Sequence, residues 1–167
     1  MLGTTAFGGD NDSGTIFRIG ADGTGFTVLH NFSGPDGAYP FAGLVADGSG
    51  NLFGTTQGGG ASDRGTIFRI GADGSGFTSL YSVTGPDGWS PTAALIADAK
   101  GNLFGTTEIG GANGEGSIFR LSGAGFAVIP EPGTWAMMIA GFGLVGAGLP
   151  VRRRREMALD ERTARAG

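Results

Sequence analysis

The chain contains no cysteine among its 167 residues. That excludes a disulfide framework, a thiolate nucleophile and a cysteine metal site. A single histidine, His30, leaves little for imidazole chemistry. Charge is scarce as well: Asp, Glu, Lys and Arg make up 16% of the residues, and Lys100 is the one lysine. Residues 1–151 hold 5 Lys and Arg against 12 acids, a net of -7, whereas residues 152–167 hold 6 Arg against 3 acids, a net of +3. An acidic body lacks the clustered cations that displace counterions from phosphates, so nucleic acid is not expected as a partner.

Glycine is what the chain has in excess, with 36 residues, alongside 12 Phe and 40% hydrophobic residues. Glycine is costly inside helices and common in turns, so this composition predicts short strands joined by many tight turns. The apolar content argues against disorder.

Gly14-Thr15-Ile16-Phe17-Arg18 recurs as Gly65-Thr66-Ile67-Phe68-Arg69 and as Gly116-Ser117-Ile118-Phe119-Arg120, 51 residues apart each time. Between residues 14–37 and 65–88, 18 of 24 positions are identical, and Gly-Thr-Thr at 3–5, 54–56 and 105–107 keeps the same spacing. The chain is a tandem repeat. One period reads as four strands: Phe41 to Ala46, Leu52 to Thr56, Gly65 to Ile70 and Phe77 to Val83. Asp-Gly and Gly-Asn clusters around Asp22, Asp47, Asp73 and Asp98 bound them, which makes these acids turn formers first. Residues 1–129 then supply 11 strands, about 2.75 four-stranded antiparallel repeats, in an all-β, propeller-like array. Identical residues at a fixed period place Phe17, Phe68 and Phe119 at equivalent buried positions.

Gly43 to Gly74 resembles the blade pattern of NHL and related propellers. A closer likeness is to the bacterial GloVer-type tandem repeat, whose Gly-Asn-Leu-(Phe/Tyr)-Gly-Thr-Thr, Gly-Gly, Gly-Thr-(Ile/Val)-Phe and Asp-Gly elements stand here at 51–56, 58–60, 65–68 and 73–74. The resemblance covers about residues 1–129; it speaks to architecture and is nearly silent on chemistry. Propellers close with 4 to 8 blades. Met1-Leu2 fall on the repeat positions of Leu52-Phe53, and no basic start with an apolar run precedes them. The expectation is therefore the C-terminal piece of a longer protein.

After Ile129 the repeat gives way to Pro130-Glu131-Pro132-Gly133-Thr134, then to Trp135–Val151 without a charge, then to Arg152, Arg153, Arg154 and Arg155. Seventeen residues is the short end of a bilayer span. Gly141, Gly143, Gly146, Gly148 and Pro150 disfavour a buried soluble helix, the alternative reading. Trp135 suits the interfacial belt and the four Arg the cytoplasmic side, so residues 135–151 are expected to form a transmembrane helix and 152–167 a basic cytoplasmic tail. The order Pro-Glu-Pro, apolar helix, Arg cluster resembles the PEP-CTERM sorting signal of Gram-negative bacteria, and a further 12 residues follow it. That resemblance implies export, transient anchoring in the inner membrane with the repeats on the periplasmic side, and processing by an exosortase that recognises Pro130-Glu131-Pro132. Cell-surface display or release would follow.

Chemistry elsewhere is sparse. Gly58-Gly59-Gly60 and Gly110-Gly111 lack the Gly-Lys-Ser/Thr of a phosphate cradle and read as hairpin loops. Asp10-Asn11-Asp12 starts like a calcium loop but lacks the later bidentate Glu, so no metal or other cofactor is expected. Arg18, Arg69 and Arg120 form a row that pairs with turn acids such as Asp22 or Asp73, or else binds anions. Tyr39 and Trp89 lie in the loop between strand sets. They either pack across the junction or, with Tyr81, stack on sugar rings, and exopolysaccharide is a candidate partner. His30, aligned with Tyr81, reads as structural. The expected function is therefore non-enzymatic binding or scaffolding at the cell surface or in an extracellular matrix. One rival is a polysaccharide lyase or hydrolase on a propeller face, which needs a carboxylate pair or a histidine and metal constellation that the sequence does not show. The other is a truncated, non-functional fragment.

Overall fold

The computed structural model describes residues 1–126, and over them the chain is all-β, with ten strands in three antiparallel sheets. Sheet 1 joins β1 (Leu2–Thr5), β2 (Thr15–Arg18) and β3 (Thr27–Asn31) in that order. Sheet 2 follows with β4 (Val45–Ala46), β5 (Asn51–Thr56), β6 (Thr66–Gly71) and β7 (Thr78–Ser82). Sheet 3 holds β8 (Ile96–Ala97), β9 (Leu103–Thr107) and β10 (Ser117–Leu121). Among these residues the one helical element is a 3-10 turn, Gly85–Asp87, and no helix is long and apolar enough to cross a membrane. The Pro-Glu-Pro segment 130–134, the expected transmembrane helix 135–151, the basic tail 152–167 and the last of the eleven expected strands lie outside the described residues.

The turns form where the acids stand. In the β4–β5 hairpin the Asp47 carboxylate accepts from the backbone N–H groups of Ser49 and Asn51 at 2.9 and 2.8 Å, and from the Asn51 amide at 2.8 Å. Asp98 repeats the arrangement with Lys100 and Asn102. Asp22 and Asp73 close the β2–β3 and β6–β7 turns on Thr24 and Ser75. Side chains that satisfy local backbone donors compete with any extended alternative, which favours a turn at each of these acids.

Alternation then gives sheet 2 two apolar faces. Leu52, Phe68 and Ile70 pack against Ile16 of sheet 1 and Phe32 just after it, while Phe53 and Ile67 pack against Leu95, Leu103 and Ala124 of the third repeat. The two cores thus lie between consecutive sheets. Each fully buried Phe, Leu or Ile contributes roughly 1.5–3 kcal/mol. Phe68 is wholly buried, whereas Phe17, which lies on the face of sheet 1 turned away from sheet 2, and Phe119, which packs toward sheet 2, are half-buried.

One expected strand is much shorter than its apolar run suggested. Residues 41–46 ladder with β5 only at Val45–Ala46. The Ala42 carbonyl instead accepts from Thr4 Oγ1 of sheet 1 at 3.1 Å, and the Ala93 carbonyl from Thr55 Oγ1 of sheet 2 at 3.3 Å. The segment is a tie between sheets rather than a full rung of its own.

Candidate functional site

The junction loops and the β1–β2, β5–β6 and β9–β10 loops meet at one end of the sheets, and the sequence-predicted aromatic residues lie there. Ala38 and Gly58 exchange backbone hydrogen bonds at 2.8 and 3.0 Å, and Trp89 and Ile109 do the same at 2.6 and 3.3 Å. Next to the first bridge, the Tyr39 N–H donates to the Ser13 carbonyl and the Tyr39 carbonyl accepts from Gln57 N–H. Being held from both sheets puts Tyr39 at φ 60°, a left-handed conformation that its equivalent Ser90 shares at φ 55°. That conformation is uncommon outside glycine and persists here because both neighbours fix it.

The Tyr39 ring extends over Gly58, where a Cβ would stand 3.4 Å from Tyr39 Cδ2. It packs on Phe7 with centroids 5.5 Å apart, and Phe7 meets Phe41 edge-on at 6.0 Å. All three rings are exposed, so they form an open aromatic platform. Trp89, at the second junction, carries the Arg64 guanidinium 4.4 Å above its ring centre, a cation–π contact that occupies one face. Tyr39 and Trp89 therefore do pack at the junctions, but they do not come together in one cluster.

Phe7 and Phe41 join Tyr39 here, and the sequence carries a signal for both. Their equivalents one repeat later are Gly58 and Thr92, and that of Tyr39 is Ser90. Three aromatic residues that break the repeat and converge in space are not required by the repeat's own packing.

The other candidates have structural tasks. His30 Nε2 lies 2.8 Å from Asp36 Oδ2, and the ring stacks on Phe77 at 3.7 Å and 5°. Ser33 gives its N–H and hydroxyl to the other carboxylate oxygen at 2.8 and 2.9 Å. The serine hydroxyl thus points at the acid and not at the imidazole, so no nucleophile and base pair forms. Burial pushes the Asp36 carboxyl up, but the two Ser33 bonds and His30 outweigh it and hold it below the usual carboxylate range. In the next repeat the Tyr81 and Thr84 hydroxyls both donate to one oxygen of Asp87, whose acceptance of the phenol raises the Tyr81 pKa. Asp12 and Asp63 cap the N–H groups of Gly8 and Gly59 at 2.9 Å, and Asp10 accepts from the Asn31 amide. The expected Arg row makes no close ion pair among the described residues; the one such pair is His30–Asp36. Arg18 instead acts across sheets, adding a small lowering at Asp73 to the larger effect of the Ser75 hydroxyl and N–H.

Pro130, Glu131, Pro132, Trp135, Arg152, Arg153, Arg154 and Arg155 lie outside the described residues, and comparison with known proteins bears on them instead. The PEP-CTERM protein-sorting motif matches residues 128–155, which marks the chain as an exported, exosortase-sorted protein of the Gram-negative type with a transient membrane anchor. No curated protein and no solved structure matches the chain. The pattern described as the Gloeobacter/Verrucomicrobia repeat matches residues 1–131, immediately upstream of and overlapping that motif, and the chain belongs to this repeat family.

Proposed function

We propose that the repeat domain is a binding or scaffolding module delivered to the cell surface or the surrounding matrix, with exopolysaccharide as its ligand and the Phe7–Tyr39–Phe41 platform as the contact. In this reading the sheets are blades of a propeller-like array. Residues 135–151 span the inner membrane, with the repeats on the periplasmic side and Arg152–Arg155 in the cytoplasm. The matched sorting motif directly after the repeats carries the reading. A protein sorted outward meets polysaccharide. The exposed aromatic rings support contact with it, since flat apolar rings with a polar tip suit the faces of sugars. Catalysis has less support, because the carboxylates of Asp36 and Asp87 are committed to their own loops. The test is expression of the full chain in a host with and without its exosortase. Release of the repeats only where the enzyme is present supports the reading, and membrane retention in both hosts refutes it.

A further inference from the structure

We propose that the two outer faces of the three-sheet array are complementary and that a second copy of this chain covers them, sheet 3 of each copy docking on sheet 1 of the other.

The chain already makes this kind of interface twice. At the first junction Ile16 of sheet 1 sits among Leu52, Phe68 and Ile70 of sheet 2. At the second, Ile67 of sheet 2 packs into the same cluster as Leu103, Phe119 and Leu121 of sheet 3. Ile16, Ile67 and Ile118 are one position in successive repeats, yet their exposures are 0%, 2% and 82%. Ile118 has no partner sheet among the described residues. Ile96, equivalent to Val45 of the second core, lies on the same outer face and is 71% exposed.

The opposite face shows the converse. Sheet 2 offers sheet 1 a pair of rings, Phe68 and Phe77, with centroids 5.7 Å apart. Sheet 1 carries the same pair, Phe17 and Phe26 at 5.4 Å, on the side turned away from sheet 2. There Phe26 is 57% and Met1 76% exposed. The described sheets thus present on one side the surface that Ile16 and Ile67 occupy and on the other the surface that receives them. Patches of contiguous exposed apolar side chains mark interaction sites.

The sheets stack with one sense, each turning its Ile face to the Phe face of the next. Contact between copies is therefore head-to-tail, and such contacts close into a ring when the rotation permits. Two copies bring the described sheets to six, inside the range of 4 to 8 over which radial sheets close. This inference is independent of the polysaccharide reading.

The test measures the protein mass of the full 167-residue chain in a mild detergent micelle by sedimentation velocity, for the native chain, Ile118→Arg and Phe26→Arg. Both positions are exposed within one copy, so the charge leaves each fold intact, as the far-UV spectrum checks. A dimer is expected for the native chain, and each variant should raise the dimer Kd by roughly tenfold or more. An equimolar mixture of the two variants retains one undamaged contact and should form dimers again. A monomeric native chain overturns the proposal. Variants that stay dimeric, a loss with only one variant, absence of recovery on mixing, or native species larger than a dimer also overturn it. Should an Arg variant lose its β spectrum, Ile118→Ser and Phe26→Ser make the same faces polar without a buried charge.

Discussion

The ring of Phe68 lies over its cross-strand partner Gly54, where an added Cβ would stand 2.5 Å from Phe68 Cζ and 3.0 Å from Leu44 Cδ2. The relation recurs at Gly3 and Phe17, where the distance is 2.7 Å, and at Gly105 and Phe119. The conserved spacing of Gly-Thr-Thr and Gly-Thr-Ile-Phe within this chain is thus one packing unit. The glycine leaves a trough in β5 and the phenylalanine fills it from β6.

Gly54→Ala should therefore destabilise the chain by about 1–3 kcal/mol, the usual cost of overpacking a filled core. Gly3→Ala should cost less, because Phe17 is half-buried and can swing outward. Urea unfolding of the two variants checks the order. Equal losses would mean that the trough is not what holds the ring.

The period, the strand count per period and the turn acids were legible in the sequence because each is a local property. A carboxylate two or four residues before a backbone donor closes its turn regardless of the rest of the fold, as Asp47 and Asp98 do. What spans two sheets was not legible. Repetition says that Thr4 and Thr55 are equivalent, but not that each reaches a carbonyl 38 residues onward and so shortens the strand expected at 41–46. Phe7 and Phe41 were hidden for the same reason, since their convergence on Tyr39 depends on the loop geometry of two neighbouring sheets.

Acid should weaken the fold. Asp98 is held below the usual carboxylate range by the Asn102 amide and N–H, Asp73 by Ser75, and Asp36 by Ser33 and His30 against the opposing effect of burial. A carboxyl group depressed in the folded state stabilises the fold above its unfolded pKa of about 3.9, and this is lost as pH falls through the lower folded value. The thermal midpoint is expected to drop as pH is lowered below about 4. Asp98→Asn should start lower at neutral pH and lose less on acidification. A midpoint that rises on acidification would contradict the assignment.

Polysaccharide binding should depend on the open platform more than on the covered indole. Tyr39→Ala and Phe7→Ala each remove an exposed ring and should reduce co-sedimentation with the host's exopolysaccharide about fivefold or more, given roughly 1 kcal/mol per stacked ring. Trp89→Ala should have a smaller effect, because Arg64 already occupies one face. A larger loss for Trp89 would move the site to the second junction.

The sorting motif offers the most separable test, because its three parts act on different steps. Replacing Pro130, Glu131 and Pro132 by alanine leaves the 17-residue apolar run untouched, so insertion should persist while uncut protein accumulates in the membrane fraction. Replacing Arg152, Arg153, Arg154 and Arg155 by alanine removes the cationic flank that sets orientation, so part of the population should present its repeats to the cytoplasm and escape processing for that reason. Protease protection of the repeats in spheroplasts distinguishes the two. The triple-alanine variant should be accessible from outside but uncut, and the arginine variant partly protected. Equal processing of the triple-alanine variant and the native chain would show that Pro-Glu-Pro is not the recognition element, while a protected triple-alanine variant would show that it contributes to insertion.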